Sequence, residues 1–176
     1  MNLFITSVCP VEAAKHHCDV HLRKMIVELM QMLSTAHYEL DGHIVGYKPT
    51  HKNHPCSVWI RKSSDNYQWA LDHLSALCEE YTYRTGKVHK TQSVLDKVRL
   101  MPDNICNLGL TVFPMAMPEK FKVLGIFDQT RAYKRYLNEK FKEWLDREKP
   151  IKVEWTNRVK PDWVEVCPFS AFPLQD

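Results

Sequence analysis

Apolar residues recur at helical spacing along most of this chain, and the pattern predicts a succession of helices joined by loops that carry proline and glycine. The densest run is HHCDVHLRKMIVELMQMLSTAH, residues 16–37. There Val20, Leu22, Met25, Ile26, Val27, Leu29, Met30, Met32 and Leu33 cover most of a helix's circumference. Pro10 suits the first turn of this helix, which is expected to run to about His37. His17, His21, Lys24, Glu28, Gln31 and Thr35 follow one another at steps of four, three, four, three and four, so six polar side chains fall in line on one face. A helix apolar nearly all round is usually buried; the stripe is expected to be buried with it or to line a cavity.

The remaining elements follow from the same reading. MNLFITSV, rich in β-branched and aromatic residues, predicts a short strand or an extended entry. Residues 38–54 have two Gly, a Pro and no helical period, and form a long loop of the kind that often carries function. Asn53 or His54 before Pro55 starts a short helix over CSVWIRK. Ser63, Ser64 or Asp65 caps the next, which keeps Trp69, Leu71, Leu74, Leu77, Cys78 and Tyr81 at helical spacing to about Thr85 and ends at Gly86. TQSVLDKVRL fits a further short helix, and residues 102–127 are irregular and apolar, wrapping the core. DQTRAYKRYLNEKFKEWLDREK reads as a surface helix capped by Asp128, with Tyr133, Tyr136, Leu137, Phe141, Trp144 and Leu145 on one side and charges of both signs on the other.

IKVEWT reads as a strand and VEVCPFSAFPLQD as an apolar tail. The expected fold is mainly α: a single compact helical domain over residues 1–150, with a short N-terminal strand. An irregular tail over residues 151–176 lies against the domain or a partner, a second copy included.

Composition narrows the class. With 44% apolar and 26% charged residues the chain is an ordinary globule, and 176 residues make one core. MNLFITSV lacks a basic leader and a cleavage site, and no apolar run approaches the roughly 18 residues of a membrane span. A cytoplasmic protein with no membrane contact, in a bacterium or an infected host cell, is expected. Six Cys without CxxC spacing argue for reduced thiols and against a zinc ribbon. The net charge is only +3, but it is unevenly spread: residues 43–64 hold Lys48, Lys52, Arg61 and Lys62 with three His and no acid, and residues 84–99 hold five Lys or Arg against Asp96 alone. Both stretches permit contact with phosphates.

Two constellations carry candidate chemistry. If the stripe lines a cavity, Glu28 between Lys24 and Gln31 is a candidate general acid or base, with His21 sharing proton transfer; the alternative is an ion pair with Lys24 that holds the helix to the loop. GYKPTHKNHPCSVW, residues 46–59, places His51, Asn53, His54 and Cys56 at a helix start, where backbone N–H groups bind anions, with Lys48, Lys52 and Arg61 near. Tyr47 and Trp59 offer faces on which a base can stack, and equally fit a core. A metal held by His17 and His21 is a third option, although the zinc-protease glutamate is missing because Cys18 follows His17.

HCDVHLRKMIVELMQML, His17 to Leu33, together with GYKPTHKNHPCSVW, resembles phage and bacterial proteins described as pyrimidine-dimer DNA glycosylases; the resemblance covers the first half of the chain and recurs weakly in FPMAMPEKF. It implies a small helical repair enzyme that uses an N-terminal α-amino group as a Schiff-base nucleophile and a helix glutamate, seven residues after a histidine, as the acid. His21 and Glu28 keep that separation. Asn2 after Met1 is too large for routine methionine removal, so the nucleophile implied here is the Met1 amine or Lys24.

The resulting expectation is a DNA-acting protein that excises or processes a damaged or modified pyrimidine. Glu28, His21 and Lys24 are the catalytic candidates. His17, Gln31, Thr35, Tyr47, Lys52, Asn53, His54, Trp59 and Arg61 are the substrate-binding ones, and no cofactor or metal is required. A binder of a nucleotide or nucleotide-like signal and a metal-dependent nucleotide hydrolase are the alternatives.

Overall fold

The computed structural model describes residues 1–122 and 129–166. In chain order they form α1 (Pro10–Lys15), α2 (Asp19–Asp41), α3 (Pro55–Ile60), α4 (Ser64–Thr85), 3-10 helices at Lys90–Val98 and Glu119–Phe121, and α5 (Gln129–Leu145). The fold is mainly helical, with no strand among the described residues. No described helix is long and apolar enough to cross a membrane.

α2 is the axis of the molecule. It packs on α3, α4 and the first 3-10 helix, while α1 packs on α4. Leu22, Ile26, Leu29, Met30, Met32 and Leu33 are all within 2% of complete burial, as its nearly all-apolar circumference requires. The helix expected to run continuously from Pro10 is broken. α1 ends at Lys15, Cys18 is extended (φ −68°, ψ 162°), and α2 begins at Asp19. Two residues from distant sequence fix the break: Arg84 Nη1 donates to the His17 carbonyl at 2.8 Å and to Asp19 Oδ1 at 2.9 Å, and Thr156 donates to Asp19 as well. At its other end α2 continues past His37 to Asp41 and stops on left-handed Gly42 (φ +73°), so the loop is shorter than the pattern implied.

That loop folds back onto α2. The Ser34 hydroxyl accepts from the Tyr47 N–H, and the Thr35 hydroxyl accepts from the Thr50 N–H, both at 3.0 Å. Gly46 makes the approach possible: its φ is +63°, and a Cβ there would lie 2.8 Å from Ser34 Oγ and 2.9 Å from Met30 Cε. His54 caps α3 by accepting from the Cys56 N–H, and Ser63 caps α4 by accepting from the Asn66 N–H.

The N-terminal segment is not a strand. Leu3, Phe4, Ile5 and Thr6 are buried consecutively, because the chain threads between helices and every side chain meets packing, whichever way it points. IKVEWT forms no strand either; Val153 and Trp155 are buried, and the Glu154 carbonyl accepts from the Asp19 N–H at 2.9 Å. Val164 and Val166 also enter the core. Residues 123–128 and 167–176, with the proposed Asp128 cap, Gly125 and the end of the apolar tail, lie outside the described residues.

Candidate active site

The threaded N-terminus ends against the middle of α2. Asn2 holds it there: its Nδ2 donates to the Ala116 carbonyl at 2.8 Å, and its Oδ1 accepts from the Leu3 N–H at 2.7 Å and from Cys56 Sγ at 3.8 Å. Tyr133 of α5 donates to the Pro114 carbonyl at 2.8 Å and accepts from the Ala116 N–H at 3.3 Å, so the 114–116 segment that receives Asn2 is itself fixed. The Met1 side chain is packed beside Ser57 Oγ, 3.9 Å from its sulfur.

These anchors bring the chain's first two residues to Glu28. The Asn2 backbone N–H donates to Glu28 Oε2 at 2.9 Å, and the Met1 α-amino nitrogen lies 3.5 Å from the same oxygen. Lys24 Nζ, one turn earlier on α2, is 3.6 Å from Glu28 Oε1. A carboxylate only 9% exposed is thus held by a backbone donor and flanked by two amines. It forms part of the wall of a cavity of about 440 Å³, within the ~300–1,000 Å³ of small-molecule pockets. Met1, Asn2, Phe4, His21, Lys24 and Glu28 line one side, and Tyr136, Lys140, Trp144 and Arg147 line the other.

His21 sits at the inner wall, 3% exposed, in tilted ring contacts with Phe4, Phe141 and Trp144, with Nδ1 unpartnered among the described residues. Burial, with the charges of Lys140 and Lys24, pushes its pKa down to about 3, so it is a neutral imidazole at ordinary pH. His54 lies at the edge of the same electrostatic neighbourhood. Burial lowers its pKa first and the N-terminal charge lowers it further, while Glu28 opposes.

Of the six residues of the stripe, the structure brings His21, Lys24 and Glu28 to the cavity. His17 precedes α2 and turns inward: its Nε2 meets His73 Nε2 at 3.4 Å, where His73 Nδ1 donates to the Pro10 carbonyl. Gln31 is half-buried and does not line the cavity, and Thr35 fastens the loop. The loop candidates are spread out. Tyr47 bonds Thr91 at 2.7 Å, and Trp59 is buried against Trp69 and Phe113. Arg61 donates to the Lys52 carbonyl at 2.6 Å, Lys52 Nζ stands 3.9 Å from Glu39, and Asn53 is exposed. No group of three or more His, Cys, Asp or Glu suited to a metal occurs among the described residues.

The far wall escaped the sequence reading. Tyr136, Lys140 and Trp144 stand at steps of four on α5, and Arg147 follows just past its end, a mixed aromatic and basic line. That spacing is the available signal, masked because an apolar side opposite charges of both signs is what any surface helix shows.

A carboxylate thus lies against two amines in a basic, aromatic-walled cavity of a small helical fold. Residues 1–94, more than half of the 176, match the pyrimidine dimer DNA glycosylase family, and the chain belongs to it. The membership indicates a DNA-repair type of function with DNA as the partner. No curated protein and no solved structure matches the chain at a significant level.

Proposed function

We propose that the protein excises a damaged or modified pyrimidine from DNA, with Glu28 as the acid and base and the Met1 amine as the attacking group. The observation that carries this reading is the convergence on one carboxylate of the Met1 amine at 3.5 Å, the Asn2 N–H at 2.9 Å and Lys24 Nζ at 3.6 Å. The cavity beside them has room for one extruded nucleotide rather than a stretch of duplex.

In the reaction the neutral amine attacks the sugar C1′. The C1′–N bond to the base breaks, its electron pair leaves with the base, and the base takes a proton. Glu28 then removes the second amine proton and delivers one to the ring oxygen O4′, which opens the sugar and leaves a C1′=N imine. Both amine hydrogens are accounted for, one on the base and one on O4′. Lys24 is the competing nucleophile, but α-amino groups as a class release their proton roughly 2.5 pH units below lysine ammonium groups. His21, neutral and buried, shapes the wall and offers a hydrogen bond rather than a charge.

Borohydride trapping on three duplexes, one undamaged, one ultraviolet-irradiated and one with an abasic site, tests this directly. A covalent adduct mapped to Met1 is expected on the damaged duplexes; mapping to Lys24 reassigns the nucleophile. No adduct and no strand cleavage overturns the amine-attack mechanism, and absence of released base from the irradiated duplex as well overturns the excision reading and leaves a binder of nucleotides without chemistry.

A further inference from the structure

The cavity has too much positive charge for the one carboxylate it holds. Lys24, Lys140, Arg147 and the Met1 amine border it, while Glu28 is the acid in its lining. Glu28 is engaged with Met1 and Lys24, and Arg147 is paired with Glu143 at 3.0 Å. Lys140 has no carboxylate partner among the described residues, yet it is half-buried. Its Nζ rests 5.3 Å from the ring centre of Trp144 and 5.8 Å from that of Tyr136. The aromatic faces hold the cation in place without neutralising it. Burial is the largest cause lowering its pKa, the Glu143 carboxylate opposes, and the charges of Lys24 and Arg147 lower it further. Lys24 on α2 and Lys140 on α5 both line the cavity, as does His21, on which the charge of each acts.

The geometry points to Lys140, acting with Lys24 across the cavity, as a ligand for a phosphodiester of the strand that carries the reacting nucleotide. The inference rests on the reading of this cavity as the excision site and assigns a DNA contact to α5, which lies beyond the residues matched to the family. A phosphate between the two ammonium groups would pair with Lys140, which has no carboxylate within ion-pair distance among the described residues, and would share Lys24 with Glu28. Its position on the α5 side would aim the sugar of the same nucleotide toward Met1 and Glu28 on the other wall.

The test uses the full chain and a duplex containing a tetrahydrofuran abasic analogue, which cannot form an imine, so binding is read without chemistry. Dissociation constants are measured across a salt series for the wild type, Lys140→Met and Lys140→Arg, with thermal melting to verify folding. Methionine keeps an unbranched apolar stem on Trp144 and removes the charge. Lys140→Met is expected to weaken binding about tenfold and to reduce the slope of log K against log salt by roughly one phosphate contact, while Lys140→Arg stays near the wild type. Wild-type affinity and slope in Lys140→Met overturn the assignment, as does weakened binding with an unchanged slope, which would mean packing and not phosphate contact. A wild type that binds no duplex overturns both this inference and the excision reading; a wild type that binds with Lys140→Met unaffected overturns the inference alone.

Discussion

The Asn2 backbone N–H donates to Glu28 Oε2 at 2.9 Å and ties the extended N-terminal segment to the middle of α2. The bond uses one lone pair of the carboxylate and leaves its charge facing the Met1 amine and Lys24. Glu28→Gln keeps the size and still offers an oxygen to the Asn2 N–H, but it removes the negative charge and the capacity to take a proton. Single-turnover excision on damaged duplex is expected to fall by about 10²–10⁴-fold. Binding to the same duplex is expected to persist, because substitution removes a negative charge from a site that faces phosphates. Unimpaired excision by Glu28→Gln would remove Glu28 from the mechanism.

Asn2 is expected to act by placement. Its side chain bonds the Ala116 carbonyl and the Leu3 N–H, and these contacts decide where the Met1 amine points. Replacement by a small residue would invite removal of Met1, so the informative variant is Asn2→Leu, which keeps the volume and the first residue. A shift of about 1 Å in a reacting group costs roughly 10²-fold in rate. Excision by Asn2→Leu should drop by that order with little change in duplex affinity, the mass of the purified protein confirming that Met1 is retained. A variant that loses affinity as much as rate would show that Asn2 shapes the binding surface instead.

Gly46 carries the loop that packs on the outer turns of α2. Alanine there meets both a left-handed backbone (φ +63°) and contacts at 2.8 and 2.9 Å, the nearer with Ser34 Oγ, which also holds Tyr47 N–H. Gly46→Ala should cost about 1–3 kcal/mol, or a fall in Tm of roughly 2–4 °C per kcal/mol for a chain of this size. Gly42 also has positive φ but open space around its α-carbon, so Gly42→Ala should cost less. Equal losses at the two positions would mean that backbone strain alone matters.

The contrast between the two ends of α2 shows what the sequence can reveal. Its burial, its stripe and the cap residues of α3 and α4 are local consequences of spacing, and they were legible. The break at residues 16–18 was not, because apolar periodicity runs through it and the cause is Arg84, 65 residues from Asp19 in sequence. The N-terminal strand failed for a related reason: β-branched and aromatic content describes a residue that packs well, and here the packing is against helices. Half of the cavity was visible as His21, Lys24 and Glu28. The other half required knowing that α5 returns to face α2, which no local pattern encodes.

Three buried histidines set how the fold responds to acid. His17, His21 and His73 are each 3% exposed or less, and burial is the largest cause of the lowering of each pKa, to about 3 for His21 and about 4 for His73. In the unfolded chain they titrate near the ordinary 6.5. Below that pH the unfolded state binds protons that the folded state refuses, so stability is fully present above 6.5 and declines as the pH falls toward the folded values. Each histidine contributes a slope of up to about 1.4 kcal/mol per pH unit in this window. Urea midpoints should therefore fall steadily from pH 7 to pH 5, before most carboxylates protonate. His73→Asn, whose amide nitrogen takes the place of the Nδ1 donor to the Pro10 carbonyl and which removes one titrating ring, should be less stable at pH 7 but show a shallower decline. Stability that stays flat from pH 6.5 to pH 5 would mean that these rings gain protons in the folded state, and that the His17–His73 contact opens to water.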